Sequence, residues 1–312
     1  MVKAKKKPEK SKSKTKSNKK TQKNLWQRIR PQKREYDEVL TFWLATKETL
    51  KFIKTSWKKL GGIALIYLIL YLLFVKGSEK FNLDEINQSL DEVLGANGNK
   101  IIRSATLVGV TLGSQSQSSE SSSVYGMFLS VIFILALIWG VRRLNNKDKF
   151  KIRDAFYFGV QPIIPFILVT SVIAAQLIPF ALGSFLYETV KQNAIVAYFW
   201  EESIFLGIWL IGALLSAYWL AVSVNALFVV SLPNMYPLQA LKEAKQLVRY
   251  RRWIVFRRMI AFPIAVAIVG LIILIITAYL APSLTVWIFE ILKAFGIVAI
   301  IVYLYKIYRS MV

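Results

Sequence analysis

Cysteine and histidine are both absent from this 312-residue chain. Without cysteine there is no disulfide, no thiolate nucleophile and no thiolate metal site. Without histidine the chain lacks the commonest general base, the commonest metal ligand and the side chain that titrates nearest neutrality. No Gly-Lys-Ser/Thr phosphate loop and no Gly-x-Ser-x-Gly nucleophile turn occurs either. The expectation is a protein that is not an enzyme and has no cofactor or metal. Acid is scarce too: 18 Asp and Glu stand against 41 Lys and Arg, for a formal charge of +23.

Apolar sequence, by contrast, is abundant at 55% and gathered into runs near 60–75, 125–141, 158–182, 203–230, 260–280 and 284–305. About 20 apolar residues in a helix cross a hydrocarbon core about 30 Å thick. The first run is short and is extended by the helix before it. One such run could be a buried core helix, but six cannot. The expected fold is therefore all-α, a polytopic membrane bundle of six transmembrane helices. Residues 1–24 contain no apolar core for a signal peptide, so the first span is expected to be an uncleaved anchor. The N-terminal region is Lys-rich, unlike an Arg-rich amphipathic presequence.

The positive charge is unevenly placed. Residues 1–60 carry 20 Lys and Arg, 142–157 six, 232–259 seven, and the C-terminal tail Lys306 and Arg309. The alternate connections carry only Lys76, Lys80, Lys100, Arg103 and Lys191, while Lys293 lies inside a span. Basic residues in short loops stay cytoplasmic. The split of 35 to 5 predicts both termini on the cytoplasmic side of a cell (plasma or inner) membrane.

Residues 1–35 hold 15 Lys and Arg and almost nothing apolar before Leu25, and are expected to form a disordered basic arm. Residues 36–312 are expected to form the membrane domain. Tyr36, Val39, Leu40, Trp43, Leu50, Ile53, Trp57 and Leu60 recur at helical spacing with Lys47, Lys51, Lys54 and Lys58 on another face, which predicts an amphipathic helix entering the first span. Basic segments at 142–157 and 232–259 precede the third and fifth spans in the same way, which suggests three diverged repeats of basic helix plus membrane hairpin. The external loop 76–124 has a predicted helix from Asn82 to Leu94 stopped by Gly95, an apolar stretch from Ile101 to Leu112 and a Ser-rich linker from Ser114 to Ser123. Residues 183–202 read as an interfacial loop through Phe185, Tyr187, Tyr198 and Trp200.

Five polar residues inside spans are candidates for a site: Glu290 and Lys293 in the last span, Gln161 and Gln176 in the third, and Asn225 in the fourth. Intramembrane charges mark ion, proton or substrate paths. They can equally be a self-neutralising i, i+3 pair that fixes packing, and lone amides usually make interhelical hydrogen bonds. Pro162, Pro165 and Pro179 are expected to bend the third span. Glu201-Glu202 resembles the acidic pair of glutamate-type intramembrane proteases, but Ser203 and Ile204 follow instead of Arg, and the His ligands are missing. Arg142, Arg143, Arg249, Arg251, Arg252, Arg257 and Arg258 form a candidate lipid-facing basic cluster. Each Lys or Arg near an anionic leaflet contributes about 1 kcal/mol. The arm at 1–35 could also engage a cytoplasmic protein or a ribosome through phosphates. No aromatic residue precedes Trp26, which gives no support for base stacking or sequence-specific nucleic-acid binding.

The segment Leu232-Pro233-Asn234-Met235-Tyr236-Pro237-Leu238-Gln239-Ala240-Leu241-Lys242-Glu243-Ala244-Lys245-Gln246-Leu247-Val248, followed by Arg251-Arg252-Trp253, resembles small bacterial six-span proteins similar to the membrane domain of glycerophosphoryl diester phosphodiesterases. Lys47 to Trp57 and Ile152 to Pro165 echo it more weakly. The soluble phosphodiesterase barrel has no counterpart here. The resemblance therefore implies an inner-membrane helical bundle and gives no catalysis to carry over. The expected function is to organise or contact anionic lipid; the alternative is a small transporter or channel with a polar path at Glu290 and Lys293.

Overall fold

The computed structural model describes residues 41–75, 104, 106–109, 120–192, 199–232 and 235–312. The basic arm, the predicted helix from Asn82 to Leu94 and most of the Ile101 to Leu112 stretch lie outside the described residues. Those described belong to one compact unit, Val39–Val312. Their helices are α1 (Phe42–Phe74), α2 (Glu120–Asn145), α3 (Ile152–Gly159), α4 (Ile163–Gln176), α5 (Ile178–Gln192), α6 (Phe199–Val230), α7 (Pro237–Val248), α8 (Arg252–Leu280) and α9 (Thr285–Met311), with a 3-10 turn at Pro282–Leu284. The described residues contain no strand. Six helical segments are long and apolar enough to cross a membrane: Phe42–Phe74, Ser123–Asn145, Ile163–Lys191, Trp200–Val230, Arg252–Leu280 and Pro282–Met311. The fold is all-α, as composition and spacing require.

At about 1.5 Å per residue, the 33 residues of α1 are longer than a hydrocarbon core. Its basic first half and apolar second half form one helix kinked at Ser56, whose φ of −106° and ψ of 15° leave the helical region. The packed face is Ala45, Thr49, Leu60, Ile63, Ala64, Tyr67 and Tyr71. The expected apolar stripe splits around it. Leu60 turns inward and Ile53 packs at the core edge, while Trp43, Leu50 and Trp57 remain 75%, 59% and 53% exposed. The small side chains of Ala45 and Thr49 permit close helix approach, which indole rings on that face would prevent.

The third span departs furthest from expectation. The apolar run predicts a crossing over 158–182, but Val160 to Pro162 break the chain and the crossing segment is Ile163–Lys191, interrupted again at Leu177. Pro162 precedes the first residue of α4, Pro165 sits in its first turn and Pro179 is the second residue of α5. At these positions a missing N–H costs no helical hydrogen bond. Residues 183–192 continue α5 and are not an interfacial loop. They pack on α6 so closely that a Cβ on Gly183 would lie 2.9 Å from Trp209 Cα, and one on Gly212 would lie 2.5 Å from the Pro179 carbonyl oxygen. The Trp209 indole donates to Ser184 Oγ at 3.0 Å, and the Tyr187 hydroxyl donates to Glu202 at 3.0 Å. The last residues of the Ser-rich linker are likewise helical, because α2 begins at Glu120.

A helix precedes each odd-numbered span: the first half of α1, then α3, then α7. A break separates each from its span, at Ser56, at Val160–Pro162 and at Arg249–Arg251. The core is built on α1, α2 and α9, joined by the C-terminal end of α6. Tyr67 stacks on Phe133 with centroids 4.1 Å apart, and Phe262 of α8 stacks on Tyr303 at 4.2 Å. The second and last spans are buried over 39% and 33% of their most apolar windows, the third and fourth over only 11% each, which makes the α4–α6 hairpin peripheral.

Candidate functional site

Glu290 and Lys293 lie one turn apart on α9, an i, i+3 spacing that brings both side chains to one face. Lys293 Nζ is 2.5 Å from Glu290 Oε2. The carboxylate is buried and the ammonium is 23% exposed. Lys293 Nζ also donates to the Tyr71 hydroxyl at 3.0 Å and lies 4.1 Å from the centroid of its ring, so α1 supplies both a hydrogen-bond acceptor and a cation–π face. One turn earlier Tyr67 shares a 3.4 Å hydrogen bond with Ser130 of α2, whose hydroxyl donates to the Gly126 carbonyl at 2.8 Å. This polar patch therefore joins the three central helices α1, α2 and α9.

The other predicted polar residues go elsewhere. Gln176 accepts a 2.7 Å hydrogen bond from Ser223 Oγ, tying α4 to α6. Asn225 is fully buried; its amide donates to the Ala221 carbonyl at 2.8 Å and contacts Met259 Sδ at 3.6 Å. Met259 packs in the same cluster as Tyr303, which lies 13 residues beyond Glu290, or about 20 Å along α9. Gln161 lies in the break before α4, on the wall of a cavity at the far end of the bundle. The five candidates are not gathered into one path.

That far end carries the second concentration of charge. Arg142, near the C-terminus of α2, donates through Nη1 to the Ser231 carbonyl at 2.9 Å and through Nη2 to the Phe228 carbonyl at 3.1 Å and Ser231 Oγ at 2.7 Å. Val230-Ser231-Leu232 offers no glycine to close α6 with a left-handed turn. Its last carbonyls therefore need an outside donor, and a cation there also complements the helix dipole. The basic stretch predicts that Arg142 faces lipid with its neighbours on an open surface; it is instead half-buried, capping α6 while it lines a cavity. Arg143 pairs with Asp148 at 2.9 Å and lies over the Trp139 ring at 5.3 Å. Lys306 of α9 donates to Asn145 at 3.3 Å and lies over the Phe52 ring at 4.8 Å, which places the start of α1 and the end of α9 at this same end.

The other arginines sit around the α7–α8 turn. Arg249 lies beside the Tyr250 ring and Arg252 beside the Tyr218 ring, with a hydrogen bond to the Tyr218 hydroxyl. Arg257 is exposed, Arg251 and Arg258 are half-buried, and the Arg258 carbonyl accepts from the Tyr303 hydroxyl at 2.9 Å. Val248 and Val255 share a buried cluster with Ala45 and Ile307, so this turn stands at the same end as the start of α1.

Between α2, the α3–α4 break and the segment after α6 is a cavity of about 990 Å³. Its walls run from Leu135 and Trp139 to Arg142, Arg143 and Lys149. Among the described residues no group of three or more His, Cys, Asp or Glu could hold a metal ion. Sequence reasoning misses Tyr71, Ser223 and Ser231 as partners. Only Ser231 carries a signal, at the end of an apolar helix lacking a C-terminal glycine. No protein-family model, curated protein or solved structure matches this chain.

Proposed function

We propose that this protein is a non-enzymatic integral membrane protein whose basic end binds anionic lipid headgroups, with both termini on the cytoplasmic side of the cell membrane. The observation that carries this reading is the exposed surface at that end. Trp43 and Leu50 alternate with Lys47, Lys51, Lys54 and Lys58 on the exposed faces of α1, where Trp57 stacks on Phe295 and is still half-exposed, and Tyr250 and Trp253 flank Arg249 and Arg257 at the α7–α8 turn. Indole and phenol rings settle at the headgroup boundary while neighbouring cations meet lipid phosphates. The likeness of 232–253 to the membrane domain of glycerophosphoryl diester phosphodiesterases belongs to this proposal, as does a protein or ribosome partner for residues 1–35.

Transport past Glu290 and Lys293 is the less supported reading, because the pair closes on itself and on Tyr71 within packed helices. The test is lipid selection. Protein reconstituted in mixed phosphatidylglycerol and phosphatidylcholine discs should enrich phosphatidylglycerol in its boundary layer. The enrichment should fall with salt, since exposed charges are screened beyond about 10 Å at 0.1 M. It should weaken on deletion of residues 1–35, and again when Lys47, Lys51, Lys54 and Lys58 become Gln. Enrichment indifferent to salt, or none, would sink the proposal.

A further inference from the structure

We infer that the cavity between α2 and the α3–α4 break is a binding site for a single phospholipid, its phosphodiester held beside Arg142 and Lys149 and the start of its acyl chains lying against Trp139, Phe158 and Leu135. The volume of about 990 Å³ is at the upper end of the roughly 300–1,000 Å³ usual for ligand sites. It opens to the surface as a cleft and is not an enclosed packing gap.

The lining is ordered from apolar to polar. Along α2 the wall residues follow as Leu135, Trp139, Arg142 and Arg143, with Asn146 just past its end, so the apolar depth and the cationic mouth are separated by seven residues, or about 10 Å. That is the polarity profile of an amphiphile crossing from acyl chain to headgroup, and no small hydrophilic anion needs the apolar half. The rings form a fixed wall, with Trp139 packed edge-on to Phe150 at 5.2 Å and stacked on Phe158 at 6.0 Å.

The charge at the mouth favours an anion. Of the two carboxylates lining it, Asp148 pairs with Arg143, while Asp154 accepts from the Lys151 backbone N–H at 2.9 Å, which closes the start of α3 and leaves its charge in place. Arg142 meets neutral groups, the acceptors on α6 and the Tyr305 hydroxyl of α9, so its charge is not cancelled there. Lys149 is exposed and has no ion pair among the described residues. With Arg143 matched by Asp148, the Arg142 and Lys149 cations stand against Asp154 alone, a net charge of +1, and a singly charged phosphodiester is the lipid group that suits it.

This site rests on the proposed function in one respect, that this end of the bundle meets headgroups. The test uses the full chain in mild detergent, with bound lipids counted by native mass spectrometry during titration with phosphatidylglycerol. One lipid should bind far more tightly than the rest. Lys149→Glu and Gln161→Trp, one reversing a mouth charge and the other placing an indole in the opening, should each weaken it by roughly tenfold or more with an unchanged melting temperature. Gln at Lys47, Lys51, Lys54 and Lys58 should leave this one lipid bound while weakening the general anionic enrichment. Inorganic phosphate should not displace it. Absence of a distinct tight lipid, its retention in either cavity variant, its loss in the α1 variant, or displacement by phosphate would each overturn the site. A parent protein that shows no general enrichment yet still binds the single lipid would sink the surface reading and leave the cavity site standing.

Discussion

At the Tyr71 end of the bundle, Glu290 and Lys293 neutralise each other within one turn of one helix, whereas at the Arg142 end a single guanidinium reaches across to the last carbonyls of another helix. The first arrangement is local in sequence and closed; the second is distant in sequence and leaves net charge. The difference shows how a chain with a formal charge of +23 can bury ionisable groups at both ends of an apolar bundle. Where no charge is to be displayed, the pair cancels itself and needs only a tyrosine from α1 to complete it. Where charge is displayed, Arg142, Lys306 and Arg252 meet neutral acceptors and aromatic faces, which hold them without cancelling them, whereas Arg143 is matched by a carboxylate, Asp148.

The sharpest way to break this comparison is to open the closed pair. Glu290→Gln leaves Lys293 as an uncompensated charge among packed helices, and stranding one partner of a buried pair costs about 3–5 kcal/mol. The combined change Glu290→Leu with Lys293→Met should recover most of that loss, because an apolar replacement of a whole buried pair is close to neutral. Unfolding free energies in detergent would show it. A single variant as stable as the parent would mean that the pair is hydrated and does not hold α1 and α9 together.

Next in size is Arg142→Met, which strips three hydrogen bonds from the end of α6 while keeping much of the apolar stem. Bonds to a charged group contribute about 1.5–3 kcal/mol each and are not additive, so a loss of about 2–3 kcal/mol is expected. The distinguishing readout is local. Amide exchange should rise over 226–232 and stay unchanged around Tyr71, the reverse of the Glu290→Gln pattern. Equal changes at both ends would remove the distinction between them.

The closed pair is legible in the sequence because both members fall on one helix, where spacing alone dictates proximity. The six spans are legible for a similar reason, since length and apolar content decide them locally. Arg142 is not. It stands beside Arg143 in a basic stretch, and nothing in that stretch separates a guanidinium committed to Ser231, 89 residues away, from one paired on the surface with Asp148. The two faces of α1 mislead for a related reason. Periodicity marks Trp43, Leu50 and Trp57 as one stripe, but in a lipid-facing helix the small residues pack and the large apolar ones look outward. The third span is displaced because Pro162, Pro165 and Pro179, which the apolar run presents as bends within one helix, instead start helices.

A smaller effect probes how far the closed pair depends on its neighbour. Tyr71→Phe keeps the ring under Lys293 and removes only the hydroxyl, so the cation–π contact survives and one hydrogen bond is lost. In a membrane-like setting the unfolded chain also finds polar partners, and single interhelical hydrogen bonds average about 0.6 kcal/mol. A loss of about that size is expected, comparable to Ser223→Ala, which removes the 2.7 Å hydrogen bond to Gln176 in the peripheral hairpin. The two variants sit in differently buried spans, the first buried over 22% of its most apolar stretch and the fourth over 11%. If burial sets the strength of a hydrogen bond here, Tyr71→Phe should exceed Ser223→Ala. If exchange for other partners sets it, the two should agree within error. A larger loss for Ser223→Ala would mean that the peripheral hairpin is held chiefly by that bond and that the close Gly183 and Gly212 contacts contribute little.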